Sequence, residues 1–312
     1  MFLPNAFKKG IQGIKTFATK KNEKKQTTEP HPEEKIPNTK KKKKEVQWLD
    51  KVDSFQSSYN TDLKHLSSLW NAISEKQMDR INNFTQKLDS MDDSYKCVVF
   101  DNETVSKRGI QSLLPKKWVS DEIVNMYCKL LSKRDKQLVL SQLHSNHNVF
   151  MHTNFYTLLE NNVSNENYWK KKQELVGMNL FEVNRIFIPI HINRNHWILV
   201  VVSMNLKIIE GYDSMLKTND PNGDIVIAMK KIKNFLEEQH ENKYNSSLSS
   251  CWSIINRSGS IPSQENGTDC GIFMMAYMDM LSVGDDFNFD QNNIDHFRQR
   301  MKLSIITNNC LA

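Results

Sequence analysis

The sequence predicts an α+β domain over residues 95–312, with a central, mostly antiparallel sheet packed by helices. Three observations carry that expectation. Arg185–Ile190, Trp197–Ser203 and Leu206–Tyr212 are short apolar, β-branched runs separated by only a few residues, the pattern of neighbouring antiparallel strands. Gly271–Leu281 is too apolar to have a wet face and reads as a buried helix. Segments with helical spacing stand before and after the strand cluster.

Taken in order, Val98–Phe100 is a β-branched and aromatic run that reads as a strand. Helices follow near 119–132 and 133–144, then a short one near 153–159 and another near 166–175. The three strands come next. Only Met204-Asn205 separates the second from the third, a hairpin signal in which asparagine tolerates positive φ. A two-residue loop there sets residue 196 directly opposite residue 213, on the same face. A helix near 221–240, a strand about Cys251–Asn256, the apolar helix and a last helix near 290–307 complete the domain, which is large enough for its own core.

The residues before it differ in kind. Residues 1–45 hold thirteen lysines against five acids, so the chain's net charge of +6 belongs to this tail and not to the domain. Lys40–Lys44 is a dense block of like charge, solvated and disordered by expectation, and equally a nuclear-import signal or a solubilising linker. Residues 1–21 lack acids and set Phe2, Phe7, Ile11, Ile14 and Phe17 among lysines, a pattern compatible with a membrane-surface helix. Residues 46–94 space Trp48, Val52, Phe55, Tyr59, Leu63, Leu66, Ile73, Ile81, Phe84 and Leu88 mostly by threes and fours, which predicts one or two amphipathic helices packed on the domain or forming a coiled coil. No stretch is long and apolar enough to span a bilayer. No phosphate loop or dinucleotide fingerprint occurs. Cys97, Cys128, Cys251, Cys270 and Cys310 are scattered, which fits reduced thiols. His144 and His147 lie three apart without a cysteine pair, so no metal and no cofactor is expected, and the two are placed at an exposed helix end.

The chemistry concentrates in three places. Cys270 stands between an acid and a glycine at the start of the apolar helix, where the helix dipole and the unpaired N–H groups favour a thiolate. The hairpin register brings His196 beside Asp213, and a carboxylate there fixes the imidazole's tautomer and stabilises its charged form. His191 is the rival base, with no partner that the turn supplies. Gln264, six residues before the cysteine in a loop that Gly267 lets turn tightly, offers an amide N–H which, with the backbone N–H of Cys270, can hold an oxyanion. A base, an orienter, a nucleophile and an oxyanion donor in this set point to acyl transfer from a carbonyl substrate.

These residues resemble the ubiquitin-like-protein proteases, the sentrin-specific (SUMO-specific) peptidases of the papain-like cysteine class. The resemblance rests on His196-Trp197, Tyr212–Ser214, Gln264 with Asn266-Gly267, and Asp269–Phe273. Lys117–Tyr127, Phe150–Leu159, Phe187–His191 and Phe297–Met301 extend it, all in the family's order, over residues 95–312. It implies a papain-like fold in which His196 is the base, Asp213 its orienter, Cys270 the nucleophile and Gln264 the oxyanion donor. It implies that Trp118 and Trp197 line a narrow tunnel for a Gly-Gly tail. The expected activity is removal of SUMO-like modifiers from lysines, with trimming of modifier precursors. Alternatives are a protease for NEDD8 or another small modifier, and a module that binds a modifier without cleaving it. The expected partners are the modifier and its conjugates, with no specific nucleic acid, and the chain is expected as a monomer in the nucleus, with the cytoplasm as a second address. Val119-Ser120 and Gly109 depart from the family's pattern at elements that border the modifier surface.

Overall fold

The computed structural model describes residues 67–144, 146–161, 179–215, 223–248 and 252–310. Its centre is strand β5 (His196–Ser203), whose residues from Trp197 onward are all buried. A strand covered on both faces must be apolar at odd and even positions alike. Here Leu199 and Val201 enter one core and Ile198, Val200 and Val202 another. Around it lie β3 (Asn148–Phe150), β4 (Arg185–Ile192), β6 (Ile208–Tyr212) and β7 (Ser253–Asn256), in the order β3-β4-β5-β6-β7. The pairs β4-β5 and β5-β6 are antiparallel, and the outer pairs β3-β4 and β6-β7 are parallel. The sheet is therefore mixed, with the expected antiparallel character confined to its centre. A separate hairpin joins β1 (Lys96–Phe100) to β2 (Glu103–Ser106). The sequence reading had only the first of these, because Asp101 and Asn102 make the turn with left-handed backbones and Glu103 opens a strand of only four residues.

Seven α-helices clothe the sheet and hairpin among the described residues: α1 (Glu75–Leu88), α2 (Lys107–Gln111), α3 (Asp121–Leu140), α4 (Asn154–Glu160), α5 (Asp224–Tyr244), α6 (Cys270–Val283) and α7 (Ile294–Thr307). α3, α6 and α7 build the core on one face, and α4 and α5 cover the other. In α6 every residue except Leu281 is buried, as its composition requires, and Gly284 ends it in the left-handed region.

Several boundaries differ from expectation. Residues 119–144 do not form two helices. α3 runs unbroken through Ser132-Lys133, and the charged Arg134 and Asp135 that follow are buried and paired. His144 and His147 do not sit at an exposed end. Both approach Asp135, at 3.6 and 3.0 Å. The β5–β6 turn spans four residues rather than two, since Ser203 pairs with Ile208, and Lys207 rather than Asn205 takes positive φ. The helix expected near 166–175 lies outside the described residues, as does all of 1–66. The last part of the 46–94 segment packs on the domain: Leu69 and Leu88 are buried in the core and Trp70 meets Phe297 edge to face. No helix among the described residues is long and apolar enough to cross a membrane.

Candidate active site

His196 opens β5 because the preceding turn ends there. Asn193 and Arg194 both adopt left-handed backbones, reversing the chain so that Ile192 pairs with His196. On the other side the β5–β6 ladder stops at Leu199 opposite Tyr212. The longer turn shifts the register by two residues from the expected one. A shift of two keeps every side chain on its face and makes 196 and 213 diagonal neighbours. The contact survives because Asp213 leaves the strand and folds back: its Oδ1 accepts from the N–H of Met215 at 2.8 Å and meets His196 Nε2 at 2.7 Å. Asp213 is buried, and the imidazole is nearly so.

With Nε2 committed to the carboxylate, Nδ1 is the nitrogen left for a reaction, and it is buried. Burial alone would lower the pKa of His196. The hydrogen bond to Asp213 and the nearness of Cys270 overcome it and raise the value to about 9. The ring is thus held as imidazolium, with the Cys270 sulfur beside it. Cys270 is the first residue of α6 and is buried, and its own N–H has no acceptor within the helix. The three side chains named from the sequence are brought together.

Gln264 is buried against them. Its Oε1 accepts from Ser214 Oγ at 2.6 Å, and its Nε2 donates to the Asn266 carbonyl. A carbonyl can only accept, so the amide's orientation is settled by its partners. One Nε2 N–H is used within the loop. His191 is not part of the cluster. It stacks on Trp197 with ring centroids 4.4 Å apart, and burial together with the neighbouring His196 lowers its pKa against the pull of Asp121.

The two tryptophans differ in setting. Trp118 is 55% exposed and donates its indole N–H to the Gly267 carbonyl at 2.9 Å. Trp197 is buried, bonded to the Val119 carbonyl at 3.1 Å, and packed so close to Gly271 that a Cβ there would lie 3.1 Å from its ring. One indole is therefore open and the other embedded.

Four further residues of the motifs have structural tasks. Ser214 orients Gln264. Asn266 accepts the N–H groups of Thr268 and Asp269 on its side-chain oxygen. Asp269 accepts from Asn266 and from Arg298, whose side chain is almost wholly buried. A charged residue in an apolar helical stripe was the available signal for Arg298. Departures from the family's pattern also gain a reason: a Cβ on Gly109 would lie 2.4 Å from the Glu122 carboxylate, which fills that space while accepting from Ser106. No group of three potential metal ligands occurs among the described residues.

Comparison with known proteins agrees with this geometry. Residues 117–309 match the Ulp1 protease family, C-terminal catalytic domain. Sentrin-specific protease 2 of Homo sapiens is 32% identical over 204 residues, covering 65% of this chain and 32% of that protein. Ubiquitin-like-specific protease 1A of Arabidopsis thaliana is 31% identical over 226 residues, covering 70% of this chain and 42% of that one. The chain thus matches well under half the length of these relatives. The fold is shared with the C-terminal Ulp1 protease domain solved in complex with Smt3, the yeast ortholog of SUMO, at a TM-score of 0.62 and 23% identity, covering 75% of this chain and 95% of that one. It is shared as well with the Ulp1-like SUMO protease catalytic domain of Chaetomium thermophilum, at a TM-score of 0.63 and 16% identity over 78% of this chain and 92% of that one. With its own Cys, His and Asp gathered at the head of α6 and the family's domain matched over 117–309, this chain belongs to the Ulp1 protease family.

Proposed function

We propose that the chain is a cysteine isopeptidase that releases SUMO-like modifiers from lysine side chains and trims modifier precursors after Gly-Gly. The observation that carries this reading is the His196 imidazole, bonded through Nε2 to Asp213 and held protonated beside the Cys270 sulfur. In the reaction the Cys270 thiolate attacks the carbonyl of the modifier's last glycine. The tetrahedral oxyanion is received by the Cys270 N–H and the remaining Nε2 N–H of Gln264. His196 gives its Nδ1 proton to the departing lysine amine as the C–N bond breaks, leaving a thioester on sulfur. His196 then takes a proton from water, the hydroxide attacks the thioester, and the Cys270 thiolate leaves. Trp118 and Trp197 flank the approach, where glycines are the residues thin enough to pass between two indoles.

The test is labelling with modifiers that carry a carboxy-terminal electrophile, alongside hydrolysis of SUMO, NEDD8 and ubiquitin tail substrates. Labelling by the SUMO probe that disappears in Cys270→Ala, with turnover of the SUMO substrate, is the expected result. Labelling that persists in Cys270→Ala removes the assigned nucleophile. Turnover of the NEDD8 substrate in preference to SUMO changes the modifier, and tight binding without turnover makes the chain a modifier-binding module. The Lys40–Lys44 block supports a nuclear address, which a fluorescent fusion with those lysines replaced by alanine checks by loss of nuclear accumulation.

A further inference from the structure

Arg298, on α7, is with Arg300 among the largest fully buried side chains of the described residues and is 1% exposed. Its Nη1 donates to the carbonyls of Ser112 and Leu114 at 3.3 and 3.1 Å. Its Nη2 donates to the Lys117 carbonyl at 2.9 Å and to Asp269 Oδ1 at 2.5 Å. Lys117 directly precedes Trp118, and Asp269 directly precedes Cys270. One planar group therefore grips the residue before the exposed indole and the residue before the sulfur. The second oxygen of Asp269 is filled by Asn266 Nδ2 and Gln291 Nε2, both at 2.7 Å. Asn266 in turn holds Gln264 through its carbonyl, and Gln291 Oε1 takes the N–H of Glu265 at 2.9 Å. Trp118 closes the circuit by bonding to Gly267 in the same loop.

We propose that Arg298 is a positioning residue that sets, through Asp269 on one side and the 112–117 carbonyls on the other, the spacing between Trp118 and the Gln264–Cys270 loop. This rests on the reading of the site as a Gly-Gly-specific acyl-transfer centre. A guanidinium suits the task because its donors diverge in a fixed plane and can meet four acceptors from two segments at once. A lysine keeps the charge but is a compact point donor and cannot span them. Burying a cation this fully is costly, and its Nε has no hydrogen-bond partner, so fold stability alone is a poor account of its presence.

The experiment compares wild type with Arg298→Lys and, from the other end of the clasp, Asp269→Asn. Five quantities are read below each variant's unfolding temperature: kcat and KM on a fluorogenic modifier-tail substrate, the rate of Cys270 alkylation by iodoacetamide, binding of a modifier truncated before its Gly-Gly tail, and the 19F resonance of fluorotryptophan at position 118. Both variants are expected to lose about 10-fold to 100-fold in kcat and to shift the position-118 resonance, because a misplacement on the order of 1 Å costs that much. Alkylation and binding of the truncated modifier stay within about twofold, since neither uses the clasp's geometry. Unchanged kcat and an unmoved resonance in both variants overturn the proposal. So does a parallel fall of kcat, alkylation rate and truncated-modifier binding with thermal stability, which marks a purely structural role. If wild type hydrolyses no tail substrate, the functional reading fails by itself, and the fluorine resonance still reports whether Arg298 places Trp118.

Discussion

At the scale of single residues, the site turns on how His196 is charged. Its neutral form is favoured by burial and its charged form by Asp213 and Cys270, and the second influence prevails, raising its pKa from 6.5 to about 9. A histidine raised on folding stabilises the native state fully below its unfolded value, and that contribution fades as pH climbs through the folded value. The pair therefore supports the fold below pH 6.5 and is lost through about pH 9. The same proton is the one delivered to the leaving amine, so kcat/KM is expected to fall on an alkaline limb near pH 9. Asp213→Asn removes the carboxylate that raises the ring. A pH–rate series on the tail substrate should show its alkaline limb moved to lower pH and its maximum depressed, and an unmoved limb would assign that ionisation to another group. Gln264→Ala deletes one of the two proposed oxyanion donors and is expected to lower kcat by about 10² to 10³ with KM little changed. All four of these residues are named from the sequence, Cys270 from an apolar helix and His196 with Asp213 from a two-residue turn, which the structure replaces by a four-residue one that shifts the register by two. Ser214, Asn266 and Arg298 were not assigned, because hydrogen bonds that converge from distant segments leave no periodicity to read.

At the scale of elements, the site depends on how closely α6 can approach the turn of chain before α3. The central strands and the apolar helix followed directly from patterning, whereas β2 and β3, of four and three residues, are too short to show one. The lengths that did not follow, the four-residue β5–β6 turn and the unbroken α3, were decided by Lys207 accepting a left-handed backbone and by Arg134 and Asp135 finding buried partners. Neither is visible in a binary pattern of apolar and polar residues. The approach of α6 is set by Gly271. A methyl there would stand 2.9 Å from Val119 Cβ and 3.1 Å from Trp197 Cδ1. Both are rigidly attached atoms, and Trp197 is pinned further by its bond to the Val119 carbonyl and its stack on His191. Gly271→Ala gains helix propensity of about 1 kcal/mol but overpacks a β-branched residue and an indole at a cost of about 1–3 kcal/mol. The net expectation is a lower melting temperature together with a raised KM for the modifier tail, since Trp197 is one of the two side chains that must give way. A melting temperature above wild type would mean that α6 can slide outward without cost.

At the scale of the whole molecule, α6 is held at both ends by buried charge. Near Cys270 the holder is Arg298 with Asp269, and at the far end it is Asp279, which has no exposed surface. Asp279 Oδ1 accepts from Arg134 Nη1 at 2.9 Å and from Ser67 Oγ at 2.6 Å, and its Oδ2 accepts from Tyr127. Burial, and then the nearby Asp279 carboxylate, push the Tyr127 phenol well above its usual range, so it stays a donor. Arg134 reaches past the carboxylate to the Asp279 carbonyl and Ser282 Oγ. Ser67 belongs to the segment that precedes α1, and Arg300 bonds to the Ser68 carbonyl at 3.0 Å. This one carboxylate thus gathers α3, α6 and the segment ahead of α1, which is why that segment behaves as part of the domain. Asp279→Ala leaves a guanidinium buried beside an unfilled space and is expected to cost about 3–5 kcal/mol in urea unfolding, while Asp279→Asn, which keeps an acceptor, costs less. Cys270 stands nine residues up the helix, about 13.5 Å away, so activity below the unfolding midpoint should be nearly that of wild type. If instead Asp279→Ala unfolds at the wild-type urea midpoint yet hydrolyses the tail substrate slowly, the far end of α6 acts on the nucleophile directly, and the helix transmits strain along its length.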